Sequence, residues 1–436
     1  MKNVIRQKIV DSLVLAPPVM TRRQVHVPRV PGKALAVIGP RRAGKTTFLW
    51  QLLAQRLEAK TPREHLLYFN FEDERLAGMT AQDLSLLAEE YYRLHPEVRD
   101  QQQVVFYLDE IQVVSGWEKF TRRLLDTERV DLVVSGSSAK LLSREIATSM
   151  RGRALEALVL PFSFREFLRH KKAEPSHNLD HLTKAKRSAL DKGLRDYLAE
   201  GGYPEAQSIE TRDRFELLRS YTDTALLRDV IERHKVSNPV ALRWMVRQLL
   251  GNACGLFSIH KFHSDLRSQG IPVAKDTLHA YLLHLEDAFL IRTIPIATDS
   301  ERRRMVNPRK VYPIDPGLIP VFDRSGKANW GHALETVVAL ELLRRGAEIA
   351  YVRTARDQEV DFLARYPDGT QELIQVCVDL DTSEIINREV RSLQAAARDY
   401  PLASLHLVIG TPVSPPDWPQ EITLHTAATW LLNDSE

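Results

Sequence analysis

Gly39-Pro40-Arg41-Arg42-Ala43-Gly44-Lys45-Thr46 constrains this chain more than any other stretch. Glycine, four residues, glycine, lysine and threonine make the P-loop pattern, which works only as the turn between a strand and a helix. The flanks supply both. Ala34 to Ile38 is an apolar run with the character of a buried strand, and Thr46 opens a helix that runs through Phe48 and Leu53 to about Leu57. Each residue type has a task on a nucleoside triphosphate. The glycines let the backbone curl so that successive N–H groups meet phosphate oxygens. Lys45 offers a cation to the β- and γ-phosphates, and Thr46 a hydroxyl ligand for Mg²⁺. The helix adds the positive end of its dipole. Gly39 through Thr47 is therefore the candidate cradle for ATP and Mg²⁺.

A second element completes such a site. Val104-Val105-Phe106-Tyr107-Leu108 is another buried-strand run, and it ends in Asp109-Glu110. An aspartate there holds Mg²⁺, usually through water, and the adjacent glutamate polarises the attacking water. Parallel strands of one sheet would bring both motifs to the same edge. A third run, Asp131 to Ser135, is followed by Gly136-Ser137-Ser138.

These stretches resemble one bacterial and archaeal family of AAA+ proteins. The resemblance rests on residues 39–47, on Tyr107-Leu108-Asp109-Glu110-Ile111-Gln112 with Gly116-Trp117-Glu118, and on Ser135-Gly136-Ser137-Ser138. Arg151-Gly152-Arg153, Leu160 to Phe167 and Gly201-Gly202-Tyr203-Pro204-Glu205 fit as well. It implies an ATPase module followed by a C-terminal domain of undefined function. It also implies a polar sensor after the third strand, with Ser137 the first choice and Ser135 and Ser138 close behind. In addition it implies an arginine offered to a neighbouring copy, for which Arg151 and Arg153 are the candidates, a local salt bridge being the alternative. The partner would be a second copy in a ring, such as a hexamer.

Composition adds exclusions. Hydrophobic residues are 44% and charged ones 27% of 436, as in an ordinary globular protein. A net charge of +3 gives no global pull on nucleic acid, so local patches must carry any such contact. The two cysteines, Cys254 and Cys377, suggest no disulfide framework and fit a reducing cytoplasm. No run of eighteen apolar residues exists, so no membrane span is expected.

The expected fold is α/β. A lead-in, residues 1–33, precedes a parallel-sheet AAA+ core at 34–160 and a helical lid at 161–250. A winged helix follows at 251–320, and then a PD-(D/E)xK nuclease-like α/β domain at 321–436. The winged-helix reading rests on two helices about a Gly270-Ile271-Pro272 turn and two strand-like runs flanking Arg302-Arg303-Arg304. The second helix would offer Lys275, Thr277, His279 and His284 to DNA, and the wing tip its three arginines. Protein binding is the alternative. The nuclease-like reading rests on Glu335 in a helix, Asp361 ending one strand, and Gln375 and Cys377 where a carboxylate and a lysine belong. Glutamine is a poor Mg²⁺ ligand and cysteine cannot replace an ammonium. That site is expected to be degenerate. The favoured function is an ATP-driven remodeller or translocase-like machine acting on DNA. The rivals are a nucleotide-controlled signalling or defence switch binding protein partners, and an active nuclease.

Overall fold

The computed structural model describes residues 1–136, 152–175, 179, 182–323, 329–355, 357–413 and 417–433. Ser137, Ser138 and Arg151 lie outside them. The chain divides into two compact units, Met1–Leu160 and Pro161–Glu436.

The first unit is built on five parallel strands: β1 (Ala34–Ile38), β2 (Leu66–Asn70), β3 (Val104–Asp109), β4 (Val130–Gly136) and β5 (Ala154–Leu158). Their order is β2-β3-β4-β1-β5. All six residues of β3 are buried, as expected of a strand covered on both faces. The covering helices carry their apolar side chains at helical spacing. Helix α1 (Lys2–Val14) buries Ile5, Ile9 and Ser12, and packs on β2 and on α3 (Asp83–Leu94). Helix α2 (Lys45–Glu58) buries Phe48, Leu49 and Leu53, and α4 (Trp117–Thr127) buries Trp117, Phe120, Thr121 and Leu124. Strand β4 lies between β1 and β3. It therefore delivers Ser135 to the edge where the P-loop and Asp109 emerge.

The second unit begins with helices Phe164–His170, Lys184–Glu200, Thr211–Thr224 and Pro239–Gly251. A capping box of Ser163 and Glu166 starts the first of them. A small antiparallel sheet follows, order β6-β8-β7, from β6 (Leu256–Phe257), β7 (Ile291–Ile294) and β8 (Arg309–Pro313). Helices Ile259–Ser268 and Lys275–Asp287 sit between β6 and β7 in the chain. A mixed sheet, order β13-β12-β11-β10-β9, completes the unit. Its strands are β9 (Glu348–Arg353), β10 (Glu359–Arg365), β11 (Gln371–Cys377), β12 (Ser404–Ile409) and β13 (Ile422–Thr426).

Alternation along these strands feeds two cores. Phe362, Ala364 and Ile374 pack with Val337 and Val338 of helix Trp330–Arg344, whereas Leu363 and Leu373 pack with Leu393 and Ala396 of helix Ser383–Asp399. Phe164, Phe167, Leu194 and Tyr197 belong to the first of these cores. The first two of the helices expected as a lid thus share a core with the last sheet, whereas Pro239–Gly251 packs with the small sheet. Among the described residues no helix is long and apolar enough to cross a membrane.

Two expectations for the region around the small sheet are corrected. Arg302, Arg303 and Arg304 are not a bare hairpin tip: they lie in a short helix, Glu301–Val306. Ser300 starts it by accepting the Arg303 N–H at 3.3 Å. Arg304 is turned to Glu348 of β9 at 2.8 Å, which leaves Arg302 and Arg303 as the exposed pair. His284 does not face outward from its helix. It stacks on His234, ring centroids 3.6 Å apart. Lys275 and His279 are exposed and Thr277 is half-buried.

Candidate functional site

The P-loop backbone is shaped by two glycines and one arginine. Gly39 has φ +150°, and a Cβ there would come 2.0 Å from the Val159 carbonyl oxygen. Only glycine fits against β5's exit. Gly44 has φ 94° and Arg42 φ 63°, so the loop turns through left-handed conformations on both sides of Ala43. Ala43 and Lys45 are buried, Arg41 and Thr47 half-buried, and Arg42 and Thr46 exposed. The Lys45 ammonium donates to the carbonyls of Gly39 at 3.2 Å and Pro40 at 3.0 Å, and lies 3.9 Å from Glu110.

Asp109 is fully buried and accepts three hydroxyl groups. Thr46 and Tyr68 donate to its Oδ2, both at 2.8 Å, and Ser135 donates to its Oδ1. The residues expected to hold Mg²⁺, Thr46 and Asp109, are thus in contact. Glu110 has φ 54°, a strained conformation for a residue with a side chain. That turn aims its backbone N–H at Ser135 Oγ, 2.9 Å away. Its carboxylate accepts from the Gln112 amide. Burial raises the proton affinity of Glu110, and Lys45 and Gln112 oppose the rise.

Sequence reasoning missed four of these supports or ranked them low. Ser135 stood behind Ser137. Gln112 entered only as part of the resemblance. Tyr68 carries no local mark of its role, although a buried tyrosine hydroxyl needs a partner. Arg23, in the lead-in, donates to Ala43 O of the P-loop at 2.7 Å and to Leu160 O, while its backbone exchanges hydrogen bonds with the Gln51 amide at 2.6 and 3.0 Å. No local pattern marks that contact, because it joins distant parts of the chain. Arg153 precedes β5, beside the start of β1 and so at the opposite end of the strands from the P-loop. Its partner is Asp126.

The second candidate constellation also converges, with an unexpected member. Glu335 and Asp361 come together around the Lys310 ammonium of β8, at 3.0 and 2.9 Å, with Glu359 at 2.7 Å. Gln375 accepts the Asp361 N–H at 3.2 Å and donates to Glu389 at 2.8 Å. Cys377 is turned to the Asp379 carbonyl, 3.1 Å away, and burial pushes its thiol up to about 11. The described residues contain no group of three or more His, Cys, Asp or Glu arranged to hold a metal ion.

The AAA domain family matches residues 31–168, and a domain of unknown function (DUF8612) matches residues 191–326. An uncharacterized protein of Methanocaldococcus jannaschii is 33% identical over 416 residues, which cover 94% of this chain and 89% of that one. An uncharacterized protein of Haemophilus influenzae is 30% identical over 349 residues, 80% of this chain and 82% of that one. The Walker-type ATPase of Pyrococcus abyssi superposes at a TM-score of 0.42 with 16% identity, over 74% of this chain and 95% of that one. By its identity to the first two proteins across most of their length, the chain belongs to their family, and its N-terminal module is an AAA domain with the P-loop ATPase fold.

Proposed function

We propose that this protein binds and hydrolyses ATP and uses the cycle to act on DNA. One observation carries the first half: Lys45, Thr46, Asp109 and Glu110 meet at one sheet edge, with Thr46 and Asp109 2.8 Å apart. Gly39 lets the loop pass against Val159 O where a side chain would collide, and a loop of this form at a helix N-terminus suits a phosphate chain. Thr46 and Asp109 would hold Mg²⁺, which when bound offsets phosphate charge. Lys45 is the cation for the β- and γ-phosphates, with Arg42 beside it in the loop. Glu110 takes the proton of the attacking water. Its raised proton affinity suits a base, because a carboxylate of ordinary acidity holds a proton poorly. Ser135 and Gln112 fix its backbone and its carboxylate. Lys45→Ala should weaken ATP binding, and Glu110→Gln should bind ATP but turn it over slowly. Unchanged turnover in Glu110→Gln would sink the assignment.

Support for DNA comes from the second unit. Its strand and helix order around the β6-β8-β7 sheet is that of a winged helix, with Lys275 and His279 exposed on the second helix and Arg302 and Arg303 exposed nearby. A second reading, a nucleotide-controlled switch, is favoured by a different observation. The β7–β8 connection is fastened to β9: Ala297 donates to Tyr351 O at 2.7 Å, and Arg304 pairs with Glu348. A wing held this way has less surface for a groove. ATPase rates with and without single-stranded, duplex and branched DNA separate the two. Stimulation supports the machine. A slow, DNA-indifferent rate with nucleotide-dependent assembly supports the switch.

A further inference from the structure

The acidic cluster of the second unit is already filled by a cation of the protein itself. Lys310 lies on β8, the central strand of the small sheet, opposite Leu256 on one side and Ile294 on the other. Pairing on both sides fixes its backbone. Its ammonium has three protons, and three carboxylates take them: Glu359 at 2.7 Å, Asp361 at 2.9 Å and Glu335 at 3.0 Å. Only 5% of the side chain is exposed.

Further donors reach two of these carboxylates. Asp361 Oδ2 accepts the Val376 N–H at 3.0 Å, and Glu335 Oε1 accepts the Tyr312 hydroxyl at 2.8 Å. Gln375 spends its carbonyl on Asp361 N–H and its amide on Glu389. Nuclease chemistry on a fold like this one requires a divalent metal between the carboxylates at Glu335 and Asp361. These residues do not fit that need, because an ammonium stands in the place and the neutral Gln375 is turned to other partners.

Position argues against the other reading, in which Lys310 faces a phosphodiester. A cavity of about 850 Å³ opens beside the cluster, bordered by Glu359, Asp361, Gln375, Arg388 and Glu389. Neither Lys310 nor Glu335 is among the described residues lining it. A phosphate entering there would meet carboxylates before it met the ammonium.

We propose that Lys310 is a built-in cation: its ammonium takes the place of a divalent metal among Glu335, Glu359 and Asp361, closes that site to metal, and locks β8 onto the sheet β9–β13. A buried ammonium with three carboxylate partners is tightly held, and removing one side of such a cluster leaves like charges together. A divalent ion should relieve them. The inference does not depend on the ATPase reading.

The test is Mn²⁺ binding to the nucleotide-free full chain, followed by electron paramagnetic resonance and by thermal melting. Wild-type protein should bind no Mn²⁺ that is lost on Asp361→Asn. Lys310→Met keeps the aliphatic stem, and should gain one equivalent that Asp361→Asn then removes. Mn²⁺ should raise its melting temperature and leave that of the wild type unmoved. Should Lys310→Met unfold without metal, refolding on Mn²⁺ addition supports the proposal, and failure to refold overturns it. A folded Lys310→Met that gains no site also overturns it. So does Asp361-dependent Mn²⁺ binding by the wild type, or DNA cleavage by the wild type that is lost in both Asp361→Ala and Lys310→Met. That last result would make Lys310 a catalytic residue of an active nuclease.

Discussion

Asp109 is oriented by hydroxyl groups from three different elements before any ligand arrives: Thr46 of α2, Tyr68 of β2 and Ser135 of β4. Tyr68 and Ser135 touch no reacting atom in this arrangement and act through Asp109. Tyr68→Phe removes one hydrogen bond to a charged acceptor, of about 1.5–3 kcal/mol, and leaves the ring packed on Trp50. Mg²⁺ should be needed at higher concentration for the same ATPase rate, with the fold intact by melting. Gln112 makes a sharper case because its effect has a sign. Burial holds Glu110 above the ordinary carboxylate range, and the Gln112 N–H opposes that by stabilising the charged form. The charged form is the base, so activity falls as pH falls through the Glu110 titration. Gln112→Ala should move this acid limb to higher pH, losing more activity at acidic than at alkaline pH. A loss uniform across pH would mean that Gln112 merely supports the loop. The sequence exposed Asp109, Glu110 and Lys45 because local patterns mark them. It hid Tyr68 and Arg23 because their partners are remote in the chain.

At the scale of elements, the P-loop and the β7–β8 connection behave oppositely. The P-loop was legible because its backbone needs specific residues. Gly39→Ala should place a methyl group against Val159 O and force the loop out of shape. ATP affinity should fall at least about tenfold, with a stability loss on the order of 1–3 kcal/mol for the strained backbone. Titration with a fluorescent ATP analogue and thermal melting check both. The β7–β8 connection was read as a basic tip, yet it folds into helix Glu301–Val306 and fastens to β9. Six residues with none buried give too little periodicity to signal a helix, and the Arg304–Glu348 pair is visible only once β9 is in place. Arg302→Ala with Arg303→Ala should weaken DNA binding on all sequences alike. The logarithmic salt slope should shrink by up to about 0.9 per lost duplex contact, with ATP binding untouched. Unchanged affinity and slope favour the switch.

Across the whole molecule, two predictions concern assembly and acid. Arg153 is paired with Asp126 on the strand edge away from its own P-loop, where it could serve only another copy's nucleotide. Mixing Arg153→Ala subunits with Lys45→Ala subunits should restore part of the ATPase activity if it does. Mixtures as inactive as each variant alone leave Arg153 as a local salt bridge. Acid acts on the last sheet. His425 Nε2 and His406 Nδ1 are 2.9 Å apart, and burial together with His406 pushes His425 down to about 4. The unfolded chain takes up this proton near its ordinary 6.5, whereas the folded one resists it until about 4. Stability is therefore lost as pH falls through that window. The melting temperature should drop between about pH 6.5 and pH 4, and drop less in His425→Gln. Equal drops would place the acid sensitivity elsewhere.

By itself the sequence determined the parallel α/β module and its nucleotide edge. A P-loop requires a strand before it and a helix after it, and an apolar strand ending in Asp-Glu has few other uses beside one. Its resemblance to a nuclease-like core also set out Glu335, Asp361, Gln375 and Cys377 as one expected constellation. Only the tertiary structure decided what surrounds them. Lys310 is distant from Asp361 in the chain and belongs to a different sheet, so no spacing rule could pair them. The packing of β8 against that cluster places an ammonium among three carboxylates, and a charge that local sequence left unpaired is answered by a strand from elsewhere.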